Sequence, residues 1–224
     1  MLAQTEVVVV TDQLESNMIE ISNVKVYDLK ECVIASGFAM RTEKPEYTEE
    51  EFEKSLPRAM KLAKAGGGSG HSNFRKGIRV SFDIKYPGYF TPELQRYGFV
   101  DIVTSSSKMH RLVKMDMDIC FNKYVTSESK ANMKKYVASY NVAQETGNAQ
   151  DVYEAFMTVL SNCPQGVELF MRCSTNYEQL ATIYRQRRHH RLKEDWVEGF
   201  CKNFVETLPY AKELILIGIE DDNN

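Results

Sequence analysis

The sequence predicts an α+β fold, an antiparallel or mixed sheet flanked by long helices. Residues 76–86, KGIRVSFDIKY, alternate Ile78, Val80, Phe82 and Ile84 with Arg79, Ser81, Asp83 and Lys85, the period-two pattern of a half-buried strand. Residues 127–146 and 148–161 are two helical stretches parted by Gly147. The order along the chain is strands, two helices, a strand, a polar turn, then helices, which is the segregation of an α+β protein.

Taken in order, residues 6–11, EVVVVT, are β-branched and read as a strand, and residues 18–27, MIEISNVKVY, add one or two more. Residues 28–41 read as a helix capped by Asp28, with Leu29, Cys32, Val33 and Phe38 inward. Residues 48–65 open on a capping box, Thr48 with Glu51, and carry acids at the start and lysines at the end, as the helix dipole favours. Pro57 makes a kink or break possible there. The run Gly66-Gly67-Gly68-Ser69-Gly70-His71 lacks the G-K-[ST] ending of a phosphate loop and reads as a turn. Pro87 and Gly88 end the alternating strand, and the polar stretch after it leads to Ser105, Ser106, Ser107, Lys108, His110 and Arg111, either an oxyanion site or a capped turn. In residues 148–161, Val152, Phe156 and Leu160 share a face, and residues 164–173 read as a link with a turn at Pro164 and Gly166. Residues 175–191 form a helix with Thr175 as cap and Glu178 closing a capping box. Residues 192–207 form a closing helix with Trp196, Phe200 and Phe204 on one stripe, 210–219 is a last helix or an interface segment, and the EDDNN tail is expected to be disordered.

Composition narrows the function. The 224 residues, 43% hydrophobic and 26% charged, suit one globular domain over 1–224, and no repeat or linker divides them. A net charge of −3 argues against a general nucleic-acid partner. No apolar run is long enough for a bilayer, and the N-terminus does not resemble a secretory signal. Five scattered cysteines without a C-x-x-C pair indicate neither a disulfide framework nor a zinc site, so a reduced, cytoplasmic protein is expected.

Against this mildly acidic background residues 185–191, RQRRHHR, hold Arg185, Arg187, Arg188 and Arg191 with His189 and His190. Like charges this dense repel along a helix, so an anion would relieve them. Arginine forks suit carboxylate, phosphate or the edge of a nucleobase. A solvated basic face explains the run equally well. The adjacent histidines point to different helix faces and make a poor metal pair.

Three segments, in order, resemble the flavin-dependent thymidylate synthases. The first is residues 18–41, a strand pair leading into a helix. The second runs from Gly70-His71 through the strand and Pro87 to Gln95-Arg96-Tyr97-Gly98 and the loop Thr104-Ser105-Ser106-Ser107-Lys108, where the family has Gly-His, a strand, Arg-His-Arg and a serine loop. The third places Asn176, Leu180, Arg187 and Trp196 at the family's intervals. The resemblance covers about two thirds of the chain and lies in spacing and order more than identity. It departs at Tyr97 and Gly98, which replace the histidine and second arginine, at Asn73-Phe74-Arg75-Lys76, and at Glu178, where the family has arginine.

The resemblance implies a cytoplasmic homotetramer that transfers a methylene group from a folate to C5 of dUMP, with FAD supplying the hydride and NADPH as co-substrate. It implies catalytic roles for Arg187, against the uracil, and Ser106, near the reacting carbon. It implies a nucleotide site of Ser105, Ser106, Lys108, Arg111, Arg187 and Arg191, flavin contacts from His71, Arg96, Asn176 and the extra cation Arg75, no metal, and no protein nucleophile. The substrate would be dUMP or a related pyrimidine nucleotide. The alternatives are a nucleotide-binding protein on the same scaffold that catalyses nothing, and a basic run that only faces solvent or another subunit.

Overall fold

The computed structural model describes residues 18–65 and 70–219. The strand expected at 6–11, residues 66–69 of the glycine run and the tail from 220 lie outside them.

Strand β1, Glu20–Tyr27, is followed by α1, Leu29–Ala35. The two possible strands are one, bent by a register slip between Ser22 and Lys25 where Asn23 takes φ 49°; an Asn accepts the left-handed region more readily than most residues. Asp28 precedes α1 at φ 59° without a side-chain cap bond. Val33 and Ile34 are buried, but Phe38 is not: the chain leaves the α-helix after Ala35, and Phe38 falls on an exposed 3-10 turn. Helix α2, Glu49–Lys64, begins as expected, with the Thr48 hydroxyl accepting from the Glu51 amide, and runs through Pro57 to Lys64.

Strand β2, Arg79–Pro87, buries Val80, Phe82 and Ile84 completely, and Ile78 beside it. Short helix α3, Thr91–Leu94, then leads to β3, Asp101–Ser105, and to α4, Lys108–Arg111. Helices α5, Ser127–Thr146, and α6, Ala149–Ser161, turn back on each other through Gly147, at φ 72°, and Asn148, which caps α6. The expected link at 164–173 is instead the beginning of β4, Glu168–Asn176, which continues into α7, Tyr177–Arg187. After α7 the closing segment is a π-helix over Lys193–Lys202 with a 3-10 turn at Val205–Thr207, and α8, Ala211–Leu214, is the last helix.

The four strands form one antiparallel sheet in the order β1-β2-β4-β3. On its covered face Phe82 meets Phe200 at 6.3 Å and Phe204 at 4.7 Å, so the Trp196, Phe200, Phe204 stripe seals the core. The opposite face is polar, tied by Arg172–Asp83 at 3.1 Å, Arg79–Asp101 at 3.3 Å and Lys85–Glu168 at 2.9 Å. In 210–219, Leu214, Ile215 and Ile219 are buried within this same core. Among the described residues no helix is long and apolar enough to cross a membrane.

Candidate functional site

Strand β4 delivers α7, and Asn176 at their junction is the N-cap: its side-chain oxygen accepts from the Gln179 amide at 2.9 Å. Thr175 is still strand, and its hydroxyl donates to the Phe99 carbonyl at 2.9 Å. Glu178 therefore closes no capping box. Its carboxylate takes Arg75 at 2.6 Å and the Ser72 hydroxyl at 3.1 Å, while Arg75, 2% exposed, also donates to the Leu214 carbonyl at 3.0 Å. Of the four residues expected against a cofactor, Arg75 and Asn176 thus face into the protein, and His71 and Arg96 are exposed.

The basic run does not lie along one helix. Helix α7 ends at Arg187, and the charges fan out from there. The Arg188 guanidinium bonds the Ile219 carbonyl. His190 accepts from the Leu192 amide through Nδ1 at 3.2 Å. Burial holds its imidazole below the ordinary value against the pull of Glu93. Arg191 and His189 are exposed.

Arg187 turns inward. Its Nε donates to the Tyr97 hydroxyl at 2.8 Å and its Nη1 to Glu93 at 3.1 Å. Its guanidinium carbon stands 4.7 Å from the centre of the Trp196 ring and 5.6 Å from that of Tyr97. Glu93 accepts in turn from the Trp196 Nε1–H at 2.6 Å, and the Tyr97 hydroxyl donates to Gln186 at 3.0 Å. Trp196 is fully buried among Phe90 and Phe200, so the guanidinium is held by a rigid wall.

Ser105 pairs with Met171 at the end of β3, and Ser106 exchanges two bonds with Phe170, giving its amide to the carbonyl at 2.8 Å and accepting the amide on its hydroxyl at 3.0 Å. Lys108 follows half-buried and Arg111 exposed. The predicted residues therefore do not form one group. Ser105 and Ser106 lie against Met171 and Phe170 of β4, Arg75 and Asn176 lie where β4 passes into α7, and Arg187 at the end of α7 is joined to Glu93, Tyr97 and Trp196.

Glu93 and Tyr97 were not expected in the site. Nothing in TPEL marks Glu93, and Tyr97 registers only as a departure from a motif; their roles depend on the turn that carries them to Arg187. A second polar pair, Tyr89 donating to Asp195 at 3.2 Å, lies beside Trp196 on the π-helix. Burial pushes the thiols of Cys173 and Cys201 up to about 12, and those of Cys32 and Cys120 to about 11, so none of these four is a thiolate nucleophile at neutral pH.

With this geometry established, comparison with solved structures is decisive for the fold. A flavin-dependent thymidylate synthase ThyX from Helicobacter pylori, complexed with FAD and dUMP, superposes with a TM-score of 0.63 at 15% identity, covering 87% of this chain and 98% of that one. The fold is that of the flavin-dependent thymidylate synthases. A second structure of ThyX from H. pylori with FAD and dUMP gives 0.56 at 15% identity over 92% and 98% of the chains. The UMP/dUMP methylase PolB from Streptomyces cacaoi, bound with 5-Br dUMP, gives 0.52 at 14% identity over 90% and 94%. No protein-family model and no curated protein sequence matches the chain.

Proposed function

We propose that this ThyX-fold chain is an enzyme that binds dUMP or a related pyrimidine nucleotide and modifies its C5. The observation that carries the reading is Arg187, fixed by Tyr97, Glu93 and Trp196. Its role is to bind the pyrimidine carbonyl and stabilise the negative charge that builds on its oxygen while C5 reacts. Ser106 lies near the reacting carbon, its hydroxyl oriented by the Phe170 amide. Lys108, Arg111 and Arg191, with Ser105, supply the charge for a phosphate. FAD and dUMP in the structural neighbours support the same ligands here.

A flavin fits the residues present. His71 and Arg96 face outward, a side chain at Gly98 would meet nothing within 4 Å, and the Glu178 carboxylate that would repel an anion is neutralised by Arg75. When bound, the flavin supplies the hydride, with a folate as one-carbon donor and NADPH as reductant. We extend the proposal to a single domain acting as a cytoplasmic homotetramer, for which exposed Val142 and Tyr153 on the α5–α6 pair offer apolar surface.

The test is the visible spectrum of the protein after FAD is added and the free cofactor removed by desalting. A retained flavin spectrum is the expected result. A colourless protein that still binds dUMP would contradict the flavin assignment and leave a nucleotide-binding protein on an enzyme scaffold.

A further inference from the structure

Helix α7 ends at Arg187, and the π-helix that carries Trp196 begins at Lys193. The turn between them lays the indole against the Arg187 guanidinium, whose carbon stands 4.7 Å from the ring centre. A run of hydrogen bonds joins the two residues. The His190 amide donates to the Arg187 carbonyl at 2.9 Å, and the Trp196 amide donates to the Leu192 carbonyl at 2.9 Å. Between these backbone bonds the link is a side chain: the Leu192 amide donates to His190 Nδ1 at 3.2 Å. A side-chain acceptor that takes the amide two residues on is the geometry of an Asx turn, built here with an imidazole.

That bond fixes the protons of the ring. Nδ1 accepts, so in the neutral imidazole the hydrogen is on Nε2, which stands 3.8 Å from Glu93 Oε2. A second proton would have to sit on Nδ1, donor against donor with the Leu192 N–H, and the turn would lose its link. The charged groups around the ring are Glu93 of α3, Arg187 of α7 and Arg191 of the turn itself. The π-helix meets it through Trp196, with ring centres 6.3 Å apart.

We infer that His190, in its neutral form, is a positioning residue of this site: it closes the turn that holds Trp196 against Arg187, and protonation of its ring releases that turn. It acts through Arg187 and not on the reacting atoms. Burial is the largest influence on the ring and the two arginines add to it, against Glu93, so the ring titrates below its ordinary 6.5 and the release comes on the acid side of that value.

The effect on a ligand rests on the nucleotide reading of the site, and the experiment separates the two. The full chain is titrated calorimetrically with dUMP at pH 7 and pH 5, as wild type, His190→Asn and His190→Ala. Asparagine places an oxygen where Nδ1 stands and keeps the turn without a titrating group. At pH 7 His190→Asn should bind dUMP as wild type does, and His190→Ala about 2- to 10-fold more weakly, the worth of one hydrogen bond. At pH 5 wild type should fall to the level of His190→Ala. Titration of the nucleotide phosphate, Glu93 and Asp195 acts on all three proteins and cancels in the ratios. The same ratio of wild type to His190→Asn at both pH values, or equal affinities of the two variants at pH 7, would overturn the inference.

If wild type binds no dUMP, the nucleotide reading fails and the positioning role is decided without a ligand. Trp196 is the only tryptophan in the chain, so its indole N–H, held by Glu93 at 2.6 Å, gives a single resonance. Both variants lack the imidazole, and a difference between them reports the Leu192 bond. Exchange of the indole hydrogen with deuterium should be about 2- to 10-fold faster in His190→Ala than in His190→Asn. Equal rates would overturn the inference.

Discussion

Arg75 and Glu178 meet at 2.6 Å between the segment after Gly70 and the first turn of α7, and Arg75 also holds the carbonyl of Leu214 from the last helix. One guanidinium thus joins three parts of the chain, with its charge removed from water and matched by one carboxylate. Removing the carboxylate leaves a buried cation without its partner, a loss of about 3–5 kcal/mol. Glu178→Ala should show this as a lowered urea midpoint. The double variant Arg75→Met, Glu178→Leu should recover part of the loss, because desolvation of the pair is no longer needed.

Arg187→Ala should leave the protein folded, since the side chain, though only 13% exposed, ends a helix whose core residues, Leu180 and Ile183, are untouched. It should weaken dUMP binding about 10- to 100-fold, the range for a lost hydrogen bond to a charged group. Arg187→Lys should lose less but not recover fully, because an ammonium cannot serve Tyr97, Glu93 and a ligand through one planar fork. Circular dichroism and calorimetry together separate the two effects.

Asp195 predicts a pH dependence. It is 3% exposed, and burial raises its carboxyl from an ordinary 3.8 to about 6. Between those values the folded chain holds a proton that the unfolded chain has released, so this group's contribution to stability falls as pH rises from about 4 to 6 and stays low above. Asp195→Asn keeps an acceptor for the Tyr89 hydroxyl and removes the ionisation. In urea titrations the variant should gain on wild type as pH rises from 5 to 7, reaching about 1–2 kcal/mol.

Two glycines separate backbone from packing effects. Gly147 ends α5 at φ 72° with nothing within 4 Å of an added methyl, so Gly147→Ala should cost about 1 kcal/mol from conformation alone. Gly199 on the π-helix would place a methyl 2.5 Å from Ile19 and 3.0 Å from the Glu194 carbonyl. Overpacking there should cost more, about 1–3 kcal/mol. Equal denaturation midpoints for the two variants would contradict the close packing of the π-helix against β1.

Much of the architecture is legible in the residues because it rests on period and punctuation. Alternation marks β2, Gly147 parts α5 from α6, and the spacing of Trp196, Phe200 and Phe204 sets the core stripe, although the helix carrying it is wound as a π-helix. Strand β4 is hidden because Leu169, Met171 and Cys173 alternate inward with Phe170, which faces out at 67% exposure, and because Pro164 and Gly166 draw attention to a turn. Strand β3 has almost no buried side chain to betray it. Thr175 and Asn176 are both good caps, and only the register with β2 decides between them. In the site, the basic run points to Arg187 but not to its restraints, since Glu93 and Tyr97 reach it from a turn about 90 residues earlier.

The most direct test of C5 chemistry is release of tritium from dUMP labelled at C5, with the FAD-loaded protein, a reduced folate and NADPH. The account predicts release that requires both dUMP binding and the intact Arg187, and that is lost in Arg187→Ala. A protein that binds flavin and dUMP yet leaves the label on C5 would contradict it.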